Sequence, residues 1–464
     1  MLLRFRVANY ASLRDEQELS LVALDEHSDL AVTHVPDDDL QALPATAIYG
    51  ANASGKSNLL QAFRFMADVV VDSHQRWHPG ASIRRNAFRF DGESLQRPSE
   101  FSVDIVIDGV HYEYGFIVDD EAVRGEWLYS FTKQQRRVRR LLFERSGSDG
   151  SAIRFGEHLR GKKKAIADLV RPNSLYLSAA AANNHPLLSR LYQWFQREFI
   201  YIDAGEPWAS LSYTLHELEE HDKEGVLSLL NYADFGLIDV HQEARPLDKD
   251  TRDKIIAFIR AVDPEHAPDD GVELHDAPRV EFIHRVESQN YKLPLELESS
   301  GTRGWFALLG PIIHALSFGK LVVVDELNAF LHPLLVGELV RLFQDPRFNE
   351  HGAQLVFNTH DVTLLSSLTP ARLRRDQVWL TDRTAEGATV LRPLTEYRIR
   401  DGLDSVFRGY LVGRYRGVPV FDDSFLEWTF ARHTRRHGSS AKQGSAEEAG
   451  EARGEEAFPH LLRG

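Results

Sequence analysis

Cysteine is absent from all 464 residues, which excludes disulfides, thiolate catalysis and cysteine-ligated zinc. Also missing is any apolar run of the roughly 18 residues that a membrane-spanning helix needs. The opening Met1-Leu2-Leu3-Arg4-Phe5-Arg6 alternates like a strand and does not lead into the apolar core of a secretory signal. A cytoplasmic protein with no membrane partner is the expectation. Positive charge is in deficit: the formal net charge of −15 argues against a chain that coats nucleic acid non-specifically, while leaving room for a local basic groove. Beyond about His433, large apolar side chains become scarce among Gly, Ser, Ala, Glu and Arg, so a disordered tail is expected over 433–464. What remains is ample, since 43% hydrophobic content in a chain of this length can build two or three lobes around a large core.

The most informative stretch is Gly50-Ala51-Asn52-Ala53-Ser54-Gly55-Lys56-Ser57. It fits G-x-x-x-x-G-K-[ST], in which glycines turn consecutive backbone N–H groups inward around phosphates, the lysine reaches the β- and γ-phosphates and the serine hydroxyl holds Mg²⁺. Ala45-Thr46-Ala47-Ile48-Tyr49 before it reads as a buried strand. After it, Leu59, Leu60, Phe63, Phe65 and Met66 recur at helical spacing, so the loop delivers phosphates to a helix N-terminus.

Around this loop the chain divides into expected lobes. Residues 1–160 hold the loop and a β-rich region in which 101–107 and 110–116 flank Asp108-Gly109, a preferred type I′ hairpin turn. Over 161–278 the patterns are mostly helical, with Leu187, Leu188, Leu191, Tyr192, Trp194 and Phe195 on one helix and Ile255, Ile256, Phe258, Ile259 and Val262 on another. This segment reads as an inserted helical lobe, too short and too lacking in heptads for long coiled-coil arms. Strand-like runs at 280–286 and 291–297 then return the chain to the nucleotide domain, whose second half covers 279–432. There an amphipathic helix (Trp305, Leu308, Leu309, Ile312, Ile313, Leu316) precedes two continuous apolar runs, Leu321-Val322-Val323-Val324 and Gln354-Leu355-Val356-Phe357, typical of parallel strands buried on both faces. The expected fold class is α/β.

Three further motifs carry chemistry. Asp325-Glu326 ends the first apolar run; on a strand neighbouring the phosphate loop the aspartate would hold the Mg²⁺ shell and the glutamate would polarise an attacking water. Asn358-Thr359-His360-Asp361 ends the second, where His360 is either a solvated residue or a γ-phosphate sensor. Glu298-Ser299-Ser300-Gly301-Thr302-Arg303-Gly304 opens the amphipathic helix and is either an ordinary cap or a second anion site. An anion site on the far side of the domain would need a second protomer to use it.

Together these motifs resemble the ATP-binding-cassette-type AAA ATPases of bacterial and archaeal abortive-infection and anti-phage systems, relatives of the overcoming-lysogenization-defect and chromosome-maintenance ATPases. The resemblance runs from Leu3-Arg4-Phe5-Arg6-Val7-Ala8-Asn9-Tyr10 through the phosphate loop, Val324-Asp325-Glu326 and Leu331-His332-Pro333 to Gly413-Arg414-Tyr415 with Val418-Pro419. It implies a P-loop ABC-type ATPase core with an antiparallel β subdomain and an inserted helical lobe. Gly50, Asn52, Gly55, Lys56, Ser57 and Asn58 would bind ATP, and Ser57 and Asp325 would hold Mg²⁺. Glu326 would be the catalytic glutamate and His360 the switch histidine, while Ser299, Ser300 and Gly301 would form the signature that meets the γ-phosphate across a dimer. The sequence departs from the pattern at Ser300, where many cassette ATPases have glycine, at His332-Pro333, where transporters place an aspartate, and at Ala11, often basic in chromosome-maintenance relatives. For the Mg²⁺-sensing glutamine, Gln96 lies in a plausible stretch.

The resemblance further implies an ATPase acting as a homodimer or a higher oligomer of dimers, which controls a separate effector subunit in anti-phage defence; a nuclease is one class such an effector could belong to. No carboxylate-rich nuclease module is visible after His360. Two other readings stand beside it: an ATP-dependent sensor scaffold with little hydrolysis, and a DNA-binding repair ATPase. The last would use nucleic-acid contacts at Arg136-Arg137, Arg139-Arg140 and Lys162-Lys163-Lys164.

Overall fold

The structure, a computed structural model, describes residues 1–418 except 25–28, 36–39, 134–136, 148–151, 204, 206–207, 222, 234–235, 244–253, 255–278, 367–368, 370 and 400–404. The expected tail over 433–464, the expected helix around Ile255 to Val262 and the Arg136 position lie outside the described residues.

The strands are β1 (Leu2–Ala8), β2 (Gln17–Ser20), β3 (Thr33–His34), β4 (Gln41–Ala42), β5 (Ala45–Gly50), β6 (Ser99–Ile107), β7 (Val110–Val118), β8 (Val123–Lys133), β9 (Arg137–Ser146), β10 (Ile153–Phe155), β11 (Phe199–Asp203), β12 (Leu237–Glu243), β13 (Arg279–Val286), β14 (Gln289–Pro294), β15 (Leu321–Asp325), β16 (Gln354–Asn358), β17 (Val378–Arg383) and β18 (Thr389–Pro393). The helices are α1 (Lys56–Asp72), α2 (Gly92–Gln96), α3 (Lys163–Ala167), α4 (Tyr176–Ala182), α5 (Pro186–Gln193), α6 (Trp208–His216), α7 (Lys223–Tyr232), α8 (Ser300–Phe318), α9 (Pro333–Gln344) and α10 (Val406–Leu411).

A six-stranded sheet of order β11-β15-β16-β5-β17-β18 carries the phosphate loop. It is parallel except at β17–β18. Because successive side chains leave a strand on opposite faces, one run feeds two cores. Leu321, Val323, Ile48, Val356 and Trp379 join one hydrophobic core, while Val322, Val324, Ala47, Tyr49, Leu355, Phe357 and Leu380 join the other. The first core is shared with α1, α4, α5 and a seven-stranded antiparallel sheet of order β10-β9-β8-β7-β6-β1-β2. The second is shared with α7, α8 and α9. The fold is thus α/β, a P-loop core with an antiparallel β subdomain. The β6–β7 turn has the expected I′ character, with Asp108 at φ 50° and Gly109 at φ 79°.

Helix α1 follows from its spacing. Leu59, Leu60, Phe63, Met66, Val69 and Val70 are buried on one stripe, and Phe63 stacks on Phe5 at 4.5 Å between ring centroids. Burying each such side chain contributes about 1.5–3 kcal/mol, which fixes the direction of the helix behind the loop.

The strand end expected beside the phosphate loop is there, with Asp325 bonded to Ser57, although β16 pairs with both β15 and β5 and lies between them. The 161–278 segment, expected to be mostly helical, also carries β11, which joins the central sheet in parallel register with β15, Asp203 opposite Asp325, since the β-branched and aromatic run Phe199-Ile200-Tyr201-Ile202 fits a pleated buried edge. The strand-like runs expected at 280–286 and 291–297 correspond to β13 and β14. They pair with β12 in a separate three-stranded antiparallel sheet.

Candidate functional site

The loop between β5 and α1 opens into a cleft of about 670 Å³ lined by residues 52–58, Ser12, Asn86, Arg89, Phe90, Glu326, His360 and Arg383, among others. Gly55 caps α1 at φ 99°, a left-handed conformation in which a Cβ is strained and would also meet the Thr389 hydroxyl at 2.0 Å. The loop is braced from behind by hydroxyls. Ser54 Oγ and Thr381 Oγ1 are 2.6 Å apart, Thr389 Oγ1 donates to the Ser54 carbonyl at 2.9 Å, and Asn58 Nδ2 donates to Ser12 Oγ at 2.7 Å.

Lys56 is 6% exposed. Its ammonium donates to the carbonyls of Gly50 (2.9 Å) and Ala51 (3.1 Å), curled back into its own loop. Burial pulls its pKa down to about 8, against the attraction of Glu326 and Asp325. An anion entering the loop would therefore meet a cation that has few competing partners.

Parallel pairing of β15, β16 and β5 brings their C-terminal ends to one edge. There Ser57 Oγ donates to Asp325 Oδ1 at 2.8 Å. Asn358 sits between them, fully buried; its amide nitrogen donates to the same Asp325 oxygen, and its amide oxygen accepts from the Glu326 N–H. Tyr201 on β11 donates to Asp325 Oδ2 at 3.4 Å. Glu326 is exposed into the cleft on a left-handed backbone, φ 60°, a conformation uncommon for a non-glycine residue. Asn328 ties this turn to the next strand, accepting from Thr359 Oγ1 (2.9 Å) and from the His360 N–H (3.1 Å). Burial and the charge of Lys56 hold the His360 imidazole below its ordinary pKa, so it presents a neutral ring at neutral pH.

The structure therefore brings Asn52, Gly55, Lys56, Ser57, Asn58, Glu326 and His360 to one cleft, with Gly50 at the end of β5 beneath it and Asp325 against Ser57. Ser299, Ser300 and Gly301 are elsewhere. They open α8, where Ser299 Oγ accepts from the Thr302 N–H at 3.1 Å, and Gly301 lies against the Phe330 carbonyl in the turn after Glu326. Gln96 is exposed at the end of α2 and does not line the cleft; Asn86 does. Of the basic residues weighed for nucleic acid, Arg139 pairs with Glu113 at 2.6 Å and lies over the Tyr129 ring, and Lys163 donates to the carbonyls of Gly156 and Leu159.

The sequence places Asn358 inside the motif that ends β16 without giving it a role, and Asn328, two residues beyond Glu326, carries no motif of its own. Ser12, Thr381, Thr389, Phe90 and Arg383 carried no local signal, because only tertiary pairing brings them to the loop.

The family described as "AAA domain, putative AbiEii toxin, Type IV TA system" matches residues 45–366. Among solved structures, cbiO1 from Clostridium perfringens, part of the ABC transporter complex cbiONQ, is similar at 13% identity, covering 83% of this chain and 91% of that one, with a TM-score of 0.25. Comparison with curated proteins finds no match. Among the described residues, no helix is long and apolar enough to cross a membrane.

Proposed function

The chain belongs to the AAA-domain family of that description, and on this premise we propose that it is an ATP-binding and ATP-hydrolysing regulatory subunit whose nucleotide-driven dimerisation controls a separate effector in anti-phage defence. One observation carries the enzymatic part: Lys56, Ser57, Glu326 and His360 from three separate strand ends meet at a single cleft, with Asp325 hydrogen-bonded to Ser57. The family's description, which names a toxin and a Type IV TA system, supports the defence setting.

In this reading the N–H groups at the start of α1 and the Lys56 ammonium bind the phosphates of ATP. The Ser57 hydroxyl and Asp325 carboxylate form an all-oxygen donor pair of the kind Mg²⁺ selects. When bound, Mg²⁺ would neutralise phosphate charge. Glu326 takes a proton from the attacking water. Asn358 sets the Asp325 and Glu326 positions at once, and the neutral His360 ring donates toward charge developing on the γ-phosphoryl oxygens.

The signature segment lies outside the cleft of its own protomer, so it acts on the ATP of a second one, with two chains facing head to tail about a two-fold axis. Glu326→Gln should bind ATP, hydrolyse it far more slowly and accumulate dimer, because the amide cannot activate water yet spares the phosphate contacts. Ser299→Arg should bind ATP through its intact Lys56 and Ser57 but remain monomeric. Light scattering with and without ATP–Mg²⁺, alongside phosphate release, checks both. Hydrolysis at the wild-type rate by Glu326→Gln, or normal dimerisation of a fully active Ser299→Arg, would overturn the shared site.

A further inference from the structure

The cleft continues past the phosphate loop to a wall that no motif marks. Phe90 is 64% exposed, whereas Phe88, which it meets edge-on at 5.5 Å, is 1% exposed. An exposed ring is ordinary on its own. The neighbours of this one are not. The Arg383 guanidinium lies 5.3 Å from the Phe90 ring centroid, and a Cβ on Gly387, which sits at φ 81°, would come within 2.8 Å of Phe90 Cδ2. Phe90 and Arg383 line the same cleft as Lys56.

The wall is held in fixed relation to the loop. Arg383 ends β17, two residues after Thr381, whose hydroxyl bonds Ser54 at 2.6 Å and the Tyr49 carbonyl at 3.2 Å. On the other side, the Phe88 N–H donates to Asn9 Oδ1 at 3.2 Å, and the Ala11 N–H donates to the Asn86 carbonyl at 2.6 Å. An aromatic plate with a guanidinium against it, at a set distance from a phosphate-binding loop, suits a flat π-system carrying phosphates. The cleft volume falls within the roughly 300–1,000 Å³ of small-ligand sites.

We propose that Phe90, backed by Arg383, is the surface on which the base of a nucleoside triphosphate stacks. The proposal rests on reading the loop as a phosphate site. Stacking is tolerant of base identity, so the wall raises affinity for base-bearing over base-free polyphosphates and discriminates little between purines.

The test compares calorimetric binding of a non-hydrolysable ATP analogue and of inorganic tripolyphosphate, each with Mg²⁺, to wild type, Phe90→Ala, Phe90→Tyr and Lys56→Ala. Phe90→Ala should weaken the analogue by roughly five- to hundredfold and leave tripolyphosphate unchanged. Phe90→Tyr should bind both as wild type does, and Lys56→Ala should lose both. If Phe90→Ala leaves the analogue's affinity intact, or weakens both ligands equally, the stacking wall is overturned while the phosphate site stands. If Lys56→Ala binds both ligands normally, the phosphate site falls and the wall with it.

Discussion

Lys56 illustrates how burial at a single side chain sets a pH dependence. Its ammonium has a pKa of about 8 because it is desolvated, and only the charged form attracts phosphate. Below pH 8 the cation is present and affinity for nucleotide should be nearly flat. Above it each deprotonated lysine must regain a proton on binding, so affinity should fall by roughly tenfold between pH 8 and 9.5. Calorimetry of a non-hydrolysable analogue across that range checks this, and Lys56→Arg should flatten the curve, since a guanidinium stays charged. A wild-type affinity that does not change would show that Lys56 does not face phosphate. The role of this lysine was legible in the sequence because the chemistry of a phosphate loop is local, with glycine, lysine and serine acting within eight residues. Asn358 was harder to read: its two hydrogen bonds to Asp325 and Glu326 span 33 and 32 residues and exist only once β15 and β16 lie side by side. Phe90 and Arg383 were illegible for the same reason.

Among the elements, α4 depends on a residue in another sheet. Glu126 on β8 is fully buried, and its carboxylate accepts from the N–H groups of Tyr176 (2.6 Å) and Leu177 (2.9 Å) and from the Tyr114 hydroxyl (3.0 Å). Burial raises its pKa, against the nearby Arg145 and these three donors. Glu126→Ala should strand all three buried donors and remove the carboxylate that lies 3.9 Å from the Arg145 guanidinium, destabilising the protein by about 2–5 kcal/mol. Thermal unfolding measures that loss, and binding of the ATP analogue at permissive temperature should stay near wild type because the cleft is built elsewhere. A melting temperature equal to wild type would contradict the capping role. Element type was largely legible where a period was strong, as in α1, the β6–β7 hairpin, β15 and β16. Strand order was not. Apolar runs in Leu321-Val322-Val323-Val324 and Gln354-Leu355-Val356-Phe357 look alike, and nothing in either says which lies beside β5. The run at 199–203 was masked by helical patterns on both flanks.

For the molecule as a whole, the proposed function predicts that the protein hydrolyses ATP while leaving nucleic acids intact. Incubation of the pure protein with DNA and RNA in Mg²⁺ or Mn²⁺ checks this; cleavage that disappears in a cleft variant such as Glu326→Gln would contradict a separate effector. The central sheet takes β5 from residues 45–50, β11 from 199–203, β15 from 321–325, β16 from 354–358 and β17 from 378–383. A ribosome therefore delivers the phosphate loop early and its supports late. The Ser54 carbonyl waits for the Thr389 hydroxyl, 335 residues downstream, an interval on the order of 20–70 s at ordinary rates of synthesis. Within that interval Asp325, Asn358 and Thr381 emerge one after another, so the loop gains its partners stepwise and Thr389 comes last. A message truncated anywhere in that interval yields a polypeptide with the phosphate-loop motif and no completed site.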